Sequence, residues 1–407
     1  MDLLYWFSIP FVNAFNASQV LIDPLIIALA AASLYALQGK LDAFKFGRLD
    51  GLLALFLGSV ALSTCVNANT IEAKSINHLI AVFASFSIFY YLAVRISREL
   101  TIERILAVLW AGYIFTTVFG LVEFSLVNFL GIDLGSIVPR PSVSEYHPGF
   151  LDIVLIRSRS LFEESGYYAA YLSTVAPLLV HYLWRVNPSR AGKTAFILLS
   201  ASSYFVAFSV SLFIFLPFAA LLPSMVRLVA ERRLARRLVW LYVIVLAAAL
   251  VVMSSDTLMN ALFLRKFSGN SFEDRNDKFE ATLELMSNAS WSSALFGYGP
   301  GSYFQLDVPP AISVYLNFWR DFGLLGIAAY FTFVIGFLRR CYADRSPLGL
   351  SIFVSALVVQ LFYVATPAYF LPGYLLPLVL YKINSTRERR LRAASMADPA
   401  RLAGRAA

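Results

Sequence analysis

The chain has 407 residues, 59% of them hydrophobic and only 14% charged, with a mean hydropathy of +0.70. A soluble domain is about a quarter charged, so this composition excludes an ordinary soluble enzyme and leaves no stretch for a separate soluble domain of common size. Two cysteines and three histidines, far apart in sequence, give neither a disulfide framework nor metal-ligand spacing, and no cofactor, metal or nucleic-acid partner is expected.

Apolar runs of roughly 20 residues recur along the chain, which reads as an all-α integral membrane protein: a polytopic bundle of about twelve transmembrane helices. In chain order the spans fall over 3–16, 19–37, 51–66, 76–96, 105–130, 161–184, 194–209, 211–228, 238–256, 321–339, 347–365 and 367–382. The run from 194 to 228 is divided near Ser209-Val-Ser211, because ~35 residues at ~1.5 Å each overshoot one crossing. The N-terminus, Met-Asp-Leu-Leu-Tyr-Trp, has no basic n-region and no small-residue cleavage site, so no removable signal peptide is read. Most of the 33 basic residues fall in one set of loops, among them Lys40, Lys45, Arg95, Arg98, Arg185, Arg190, Arg232, Arg233, Arg339 and Arg340. The positive-inside rule makes that side, and both termini, cytoplasmic. Residues 1–386 form one transmembrane domain, and 387–407 a basic tail expected to be disordered, suited to anionic lipid and to anchoring topology.

Two sizeable loops remain on the outer side, over about 131–160 and 254–320. The second carries a short amphipathic helix over 276–287, with Phe279, Leu283 and Met286 at helical spacing, and then Gly297-Tyr-Gly-Pro-Gly301. Three glycines let backbone N–H groups approach an anion or a sugar closely, and a plain turn is equally consistent with them. The outer basic residues are Lys74 and, in the two loops or at their edges, Arg140, Arg157, Arg159, Arg265, Lys266, Arg275, Lys278 and Arg320. They run against the topology rule, and an anionic ligand would hold them there, since the arginine fork matches phosphate. The competing reading is ordinary solvation with ion pairs to Glu163, Asp274 or Asp321. If the stretch opening the mid-chain span is helical, Arg157, Glu164, Tyr168 and Tyr171 share one stripe, and Arg159 and Glu163 form an i,i+4 pair. That charged mouth should face the bundle, because lipid would not tolerate it. His147 is the one histidine in an outer loop, and a lone loop histidine is more often incidental than a base.

Three features then occur in order: an outer arginine and glutamate opening a mid-chain helix; a large outer loop ending Leu295-Phe-Gly-Tyr-Gly-Pro-Gly-Ser-Tyr303; and Ser313-Val-Tyr-Leu-Asn-Phe-Trp-Arg-Asp-Phe-Gly-Leu-Leu-Gly326 leading into a helix. Over residues 150 to 340 this resembles the O-antigen ligase and Wzy-type polysaccharide polymerase superfamily of bacterial envelopes. Against the exopolysaccharide polymerase pattern Arg-x-x-Ser-x-Phe-x-Glu-Pro-Ser-x-Phe-Ala, Arg157, Ser160, Phe162, Glu164 and Ala169 match, while Ser165, Gly166 and Tyr168 depart. Arg275, Gly297, Gly299, Gly301, Asp321, Gly323 and Gly326 match the family's later arginine, glycine run and acidic-x-Gly-x-x-Gly ending. The histidine that the ligase branch carries near Ile312 or Ser313 is absent.

The resemblance implies a GT-C-like bundle at the cytoplasmic (inner) membrane, with periplasmic, metal-independent chemistry. The donor is a glycan on undecaprenyl diphosphate. In a polymerase a second lipid-linked repeat unit is the acceptor, and the lipid diphosphate leaves. A flippase and a chain-length regulator are the expected partners. Growing charge on the leaving phosphate asks for arginines in a water-poor site. Glu164, Arg157, Arg275 and Asp321 are therefore the catalytic candidates. Arg159, Glu163, Arg265, Tyr168, Gly297, Gly299, Gly301 and Arg320 are the substrate-binding ones. A ligase passing a finished glycan to a lipid acceptor, and a transporter or flippase of an anionic lipid-linked sugar, are the alternatives. The second would place charge near the bilayer midplane, whereas here it crowds one face.

Overall fold

The computed structural model describes residues 2–11, 46–97, 100–132, 134, 146–147, 155–162, 164–207, 270–306, 308–366 and 372–397. The described chain is almost entirely helical. α1 (Asp2–Ser8) runs into a 3-10 turn. α2 (Arg48–Val66) is followed by α3 (Ala73–Phe83), which continues through a π-helical stretch (Ala84–Phe89) into α4 (Tyr90–Ile96). α5 (Ile102–Leu130), α6 (Ser165–His181) and α7 (Arg190–Ala207) form the middle of the chain. α8 (Asn270–Ser287) and the short α9 (Trp291–Phe296) precede α10 (Val314–Ala343), α11 (Pro347–Ala365) and α12 (Pro372–Ala397). A two-residue antiparallel pair, β1 (Tyr146–His147) with β2 (Leu155–Ile156), is the only strand pairing among the described residues.

Among the described residues five helices are long and apolar enough to cross a membrane: Arg48–Val66, Lys74–Ile96, Ile102–Leu130, Val314–Ala343 and Pro347–Ala365. The chain is thus a membrane-spanning helical protein, but the described residues do not reach twelve such helices. The spans read over 19–37, 211–228 and 238–256 lie outside the described residues, as do residues 12–16 of the first, whose described part is the seven-residue α1 and its 3-10 turn. The others fall short for local reasons. α6 has only 17 residues, α7 opens on Arg190 and Lys193, and α12 runs on through a charged half to Ala397. That last helix carries the start of the basic tail beyond residue 386, which is therefore helical to Ala397; residues 398–407 lie outside the described set.

The boundaries follow from capping. At the start of α2 the Asp50 carboxylate accepts from the Gly47 N–H. Thr101, Ser313 and Ser346 accept from Arg104, Leu316 and Gly349 backbone N–H groups at the starts of α5, α10 and α11. α5 stops at Gly131, whose φ of 67° is the left-handed cap that glycine adopts without strain. Between helices the packing is aromatic: Phe56, Phe86, Phe318 and Tyr330 interlock, with Phe318 and Tyr330 rings 4.9 Å apart. Inside a bilayer such van der Waals packing, with interhelical hydrogen bonds, holds helices together. The Ser355 hydroxyl donates to the Thr174 carbonyl between α11 and α6, and Tyr315 and Tyr330 both donate to Gln360.

Polar contacts sort the helix ends. At one end Lys382 of α12 pairs with the buried Asp50 of α2, which also accepts from Tyr90 of α4 at 2.8 Å, and Arg387 reaches Glu103 of α5 at 3.5 Å. The opposite end gathers the C-terminal ends of α2, α5, α7 and α11 with the N-terminal ends of α6 and α10. The Val314 N–H, for example, donates to the Thr366 carbonyl. Both outer features of the sequence lie at this second end.

Candidate functional site

The segment 157–162 is not the first turn of a helix. α6 begins only at Ser165, with Glu164 as its N-cap residue in an extended conformation. The expected stripe from Arg157 through Glu164 to Tyr171 therefore does not form, and Arg157 and Arg159 sit on an irregular turn. The Arg159–Glu163 pairing rests on a residue outside the described set.

A buried carboxylate on the neighbouring helix organises the turn. Glu123 of α5, 6% exposed, accepts on one oxygen from the Ser158 hydroxyl at 2.8 Å, the Arg159 N–H at 2.9 Å and the Ser160 N–H at 2.7 Å. These three hydrogen bonds hold Ser160 at φ 50°, outside the range a non-glycine residue prefers. The Ser160 hydroxyl donates to the Thr116 carbonyl at 2.6 Å, and the Ser158 N–H to the Val206 carbonyl at 3.0 Å. One turn further along α5 the Asn128 amide brackets Ile156, donating to its carbonyl at 2.9 Å and accepting from its N–H at 2.7 Å. The backbone from Ile156 to Ser160 is thus laid along α5 and α7, with half-buried Arg157 and Arg159 projecting from it. Tyr168, a substrate-contact candidate, is fully buried beneath: its ring stacks on Phe162, and its hydroxyl lies where a Cβ on Gly120 would come within 2.7 Å. Sequence reasoning missed Glu123, although a lone carboxylate inside an apolar span is itself a signal.

The second cluster joins the glycine run to α10. Gly323 has φ 65° and ψ −166°, so α10 breaks there into two helical pieces. The glycine loop fills the break: the Tyr298 and Gly299 N–H groups donate to the Arg320 and Asp321 carbonyls, each at 3.0 Å. A Cβ on Gly297 would lie 2.4 Å from the Asp321 carbonyl oxygen, and one on Gly323 2.4 Å from that of Leu295. The Asp321 carboxylate, 1% exposed, accepts from the Gly301 N–H at 3.0 Å, the Ser302 hydroxyl at 2.7 Å and Arg320 Nε at 3.1 Å. Arg320, fully buried, also donates to Ser302, to Asn317 at 2.9 Å and to the Pro309 carbonyl at 3.3 Å. From α2, Ser63 donates to the Asp321 carbonyl and Asn67 to that of Gly297. Arg320 and Asp321, expected at substrate, are here engaged with protein groups that fix the loop. The glycines serve close backbone approach within the protein. Tyr303 lies under the Arg320 guanidinium, 5.3 Å from it; burial raises its phenol above the usual range, Asp321 adds to the rise and Arg320 opposes it.

Arg275 lies on α8, which begins at Asn270, earlier than the amphipathic pattern suggests. Arg265 and Glu163 lie outside the described residues. Both clusters occupy the same end of the bundle. No family model matches the chain, and no curated protein matches it.

Proposed function

We propose that the chain is a metal-independent glycosyltransferase that joins glycan repeat units carried on undecaprenyl diphosphate, on the periplasmic face of a bacterial inner membrane. The reading includes a GT-C-like bundle of about twelve crossings. It includes cytoplasmic termini, and a flippase and a chain-length regulator as partners. One observation carries it: a turn bearing Arg157 and Arg159, braced by a buried carboxylate, at the same bundle end as the glycine loop.

In this reaction the acceptor hydroxyl oxygen attacks the anomeric carbon of the donor. The bond from that carbon to the diphosphate breaks, and its electron pair leaves on the phosphate. Arg157, Arg159 and Arg275 stabilise that growing charge, which arginines do best in a water-poor site. Glu164, between the turn and α6, takes the acceptor proton. Arg320 and Asp321 act indirectly, holding the glycine loop that shapes the acceptor side.

The test is complementation of a strain lacking this gene. The wild-type chain should restore long polymer. Arg157→Ala, Arg275→Ala and Glu164→Gln, at equal protein level, should leave single repeat units on the lipid. Normal-length polymer from all three variants would sink the site assignment. Long lipid-linked chains that accumulate only in the deletion strain, untransferred, would point to a ligase instead.

A further inference from the structure

The segment between α8 and the glycine loop leaves an apolar edge that no described part of the chain covers. Trp291, on α9, is 92% exposed, and Leu295 of the same helix is an exposed large hydrophobic, as are Phe279 and Leu283 on α8 and Phe304 just past the glycine loop. The height of α9 relative to the bundle is fixed by the seam at Gly323, where the Leu295 carbonyl would meet an added Cβ at 2.4 Å. The next two residues of α10, Leu324 and Leu325, are exposed apolar side chains on a helix long enough to span a bilayer. The exposed apolar surface of α10 therefore begins within a residue of the seam. α9 also packs against α2, whose last residue, Val66, is exposed and apolar as well. Nearby, exposed Lys74 holds its ammonium 5.5 Å from the Phe304 ring, a pairing of apolar surface and cation suited to a layer of lipid phosphates.

We propose that α9 is an interfacial helix, with Trp291 and Leu295 seated in the headgroup layer of the surrounding phospholipid, continuous with the lipid against Leu324, Leu325 and Val66. An indole has an apolar body and one N–H donor, and the headgroup region accommodates both. Seated this way, α9 sets the depth at which the glycine loop meets the membrane surface. The inference needs only a bilayer around the bundle and is independent of the reaction proposed above.

The experiment uses the full chain in phosphatidylcholine vesicles, with and without Trp291→Phe. The chain has six tryptophans, and the difference between the two fluorescence signals isolates Trp291. Trp291 is so exposed that the substitution leaves the fold intact. The difference signal should lose most of its intensity when the lipid carries bromine near the top of the acyl chain. It should lose less with bromine near the chain end, and little with aqueous iodide. Quenching by iodide but not by brominated lipid would put Trp291 in water and overturn the proposal. So would quenching by neither, which would mean that a second copy or another part of the chain covers it.

Discussion

Gly323→Ala should leave little folded protein. At φ 65° and ψ −166° the backbone sits in a region open essentially to glycine alone, where another residue costs about 1–3 kcal/mol. The added methyl would also lie 2.4 Å from the Leu295 oxygen and 2.5 Å from the Gly297 nitrogen, both backbone atoms. Neither can move without opening the Tyr298 and Gly299 hydrogen bonds and the Asp321 cluster behind them. The combined loss is a large share of the roughly 5–15 kcal/mol by which a folded protein is stable. Gly297→Ala should do the same from the other side of the seam, because its Cβ meets the Asp321 carbonyl. Gly58→Ala is the control: a helical glycine of α2 with nothing within 4 Å of the added carbon, where alanine is favoured by roughly 1 kcal/mol. Thermal unfolding in detergent, followed by size exclusion, should show the seam variants melting far below wild type and Gly58→Ala at or above it. Equal melting of Gly323→Ala and wild type would contradict the seam.

Glu123→Ala should disable the arginine turn while sparing more of the bundle. One oxygen of Glu123 takes three donors, two of them backbone N–H groups. Each donor left buried without an acceptor costs about 1–3 kcal/mol. The turn must then rearrange, Ser160 loses what holds its positive φ, and Arg157 and Arg159 shift with it. A misplacement of about 1 Å can lower turnover about a hundredfold. Polymer output at equal protein level should fall accordingly for Glu123→Ala. Glu123→Gln keeps a carbonyl acceptor in place but loses the charge, so it should fall between Ala and wild type. The Arg157-dependent and Glu123-dependent losses should overlap rather than multiply, since both act through one turn. Additive losses in the double variant would mean that Glu123 serves something else.

Hydropathy made the helices over 51–66, 76–96, 105–130, 321–339 and 347–365 readable, because a bilayer demands long uninterrupted apolar runs. What failed was the detail set by contacts distant in sequence. Periodicity let Arg157 join the helix of Tyr168 and Tyr171, yet Glu123, far upstream in sequence, draws the backbone of 158–160 into a turn. Gly323 lies in an apolar stretch that reads as continuous helix, and nothing local announces that the glycine loop will dock into it. The start of α8 was missed because Asn270 to Arg275 carry too few apolar residues to show a period. The glycine run, Arg320 and Asp321 were legible as separate features in chain order. Their use on one another was not, since a sequence does not show whether a carboxylate faces a ligand or a neighbouring N–H.

In the function proposed, this end of the bundle transfers a glycan from a lipid diphosphate. Purified full chain, reconstituted in vesicles with polyprenyl-diphosphate-linked repeat units as sole substrate, tests it most directly. A ladder of longer lipid-linked glycans should form, with one lipid diphosphate released per bond formed, and no ladder should form with Arg157→Ala. Folded wild-type protein that leaves the repeat units unchanged, or that only moves them across the bilayer, would contradict it.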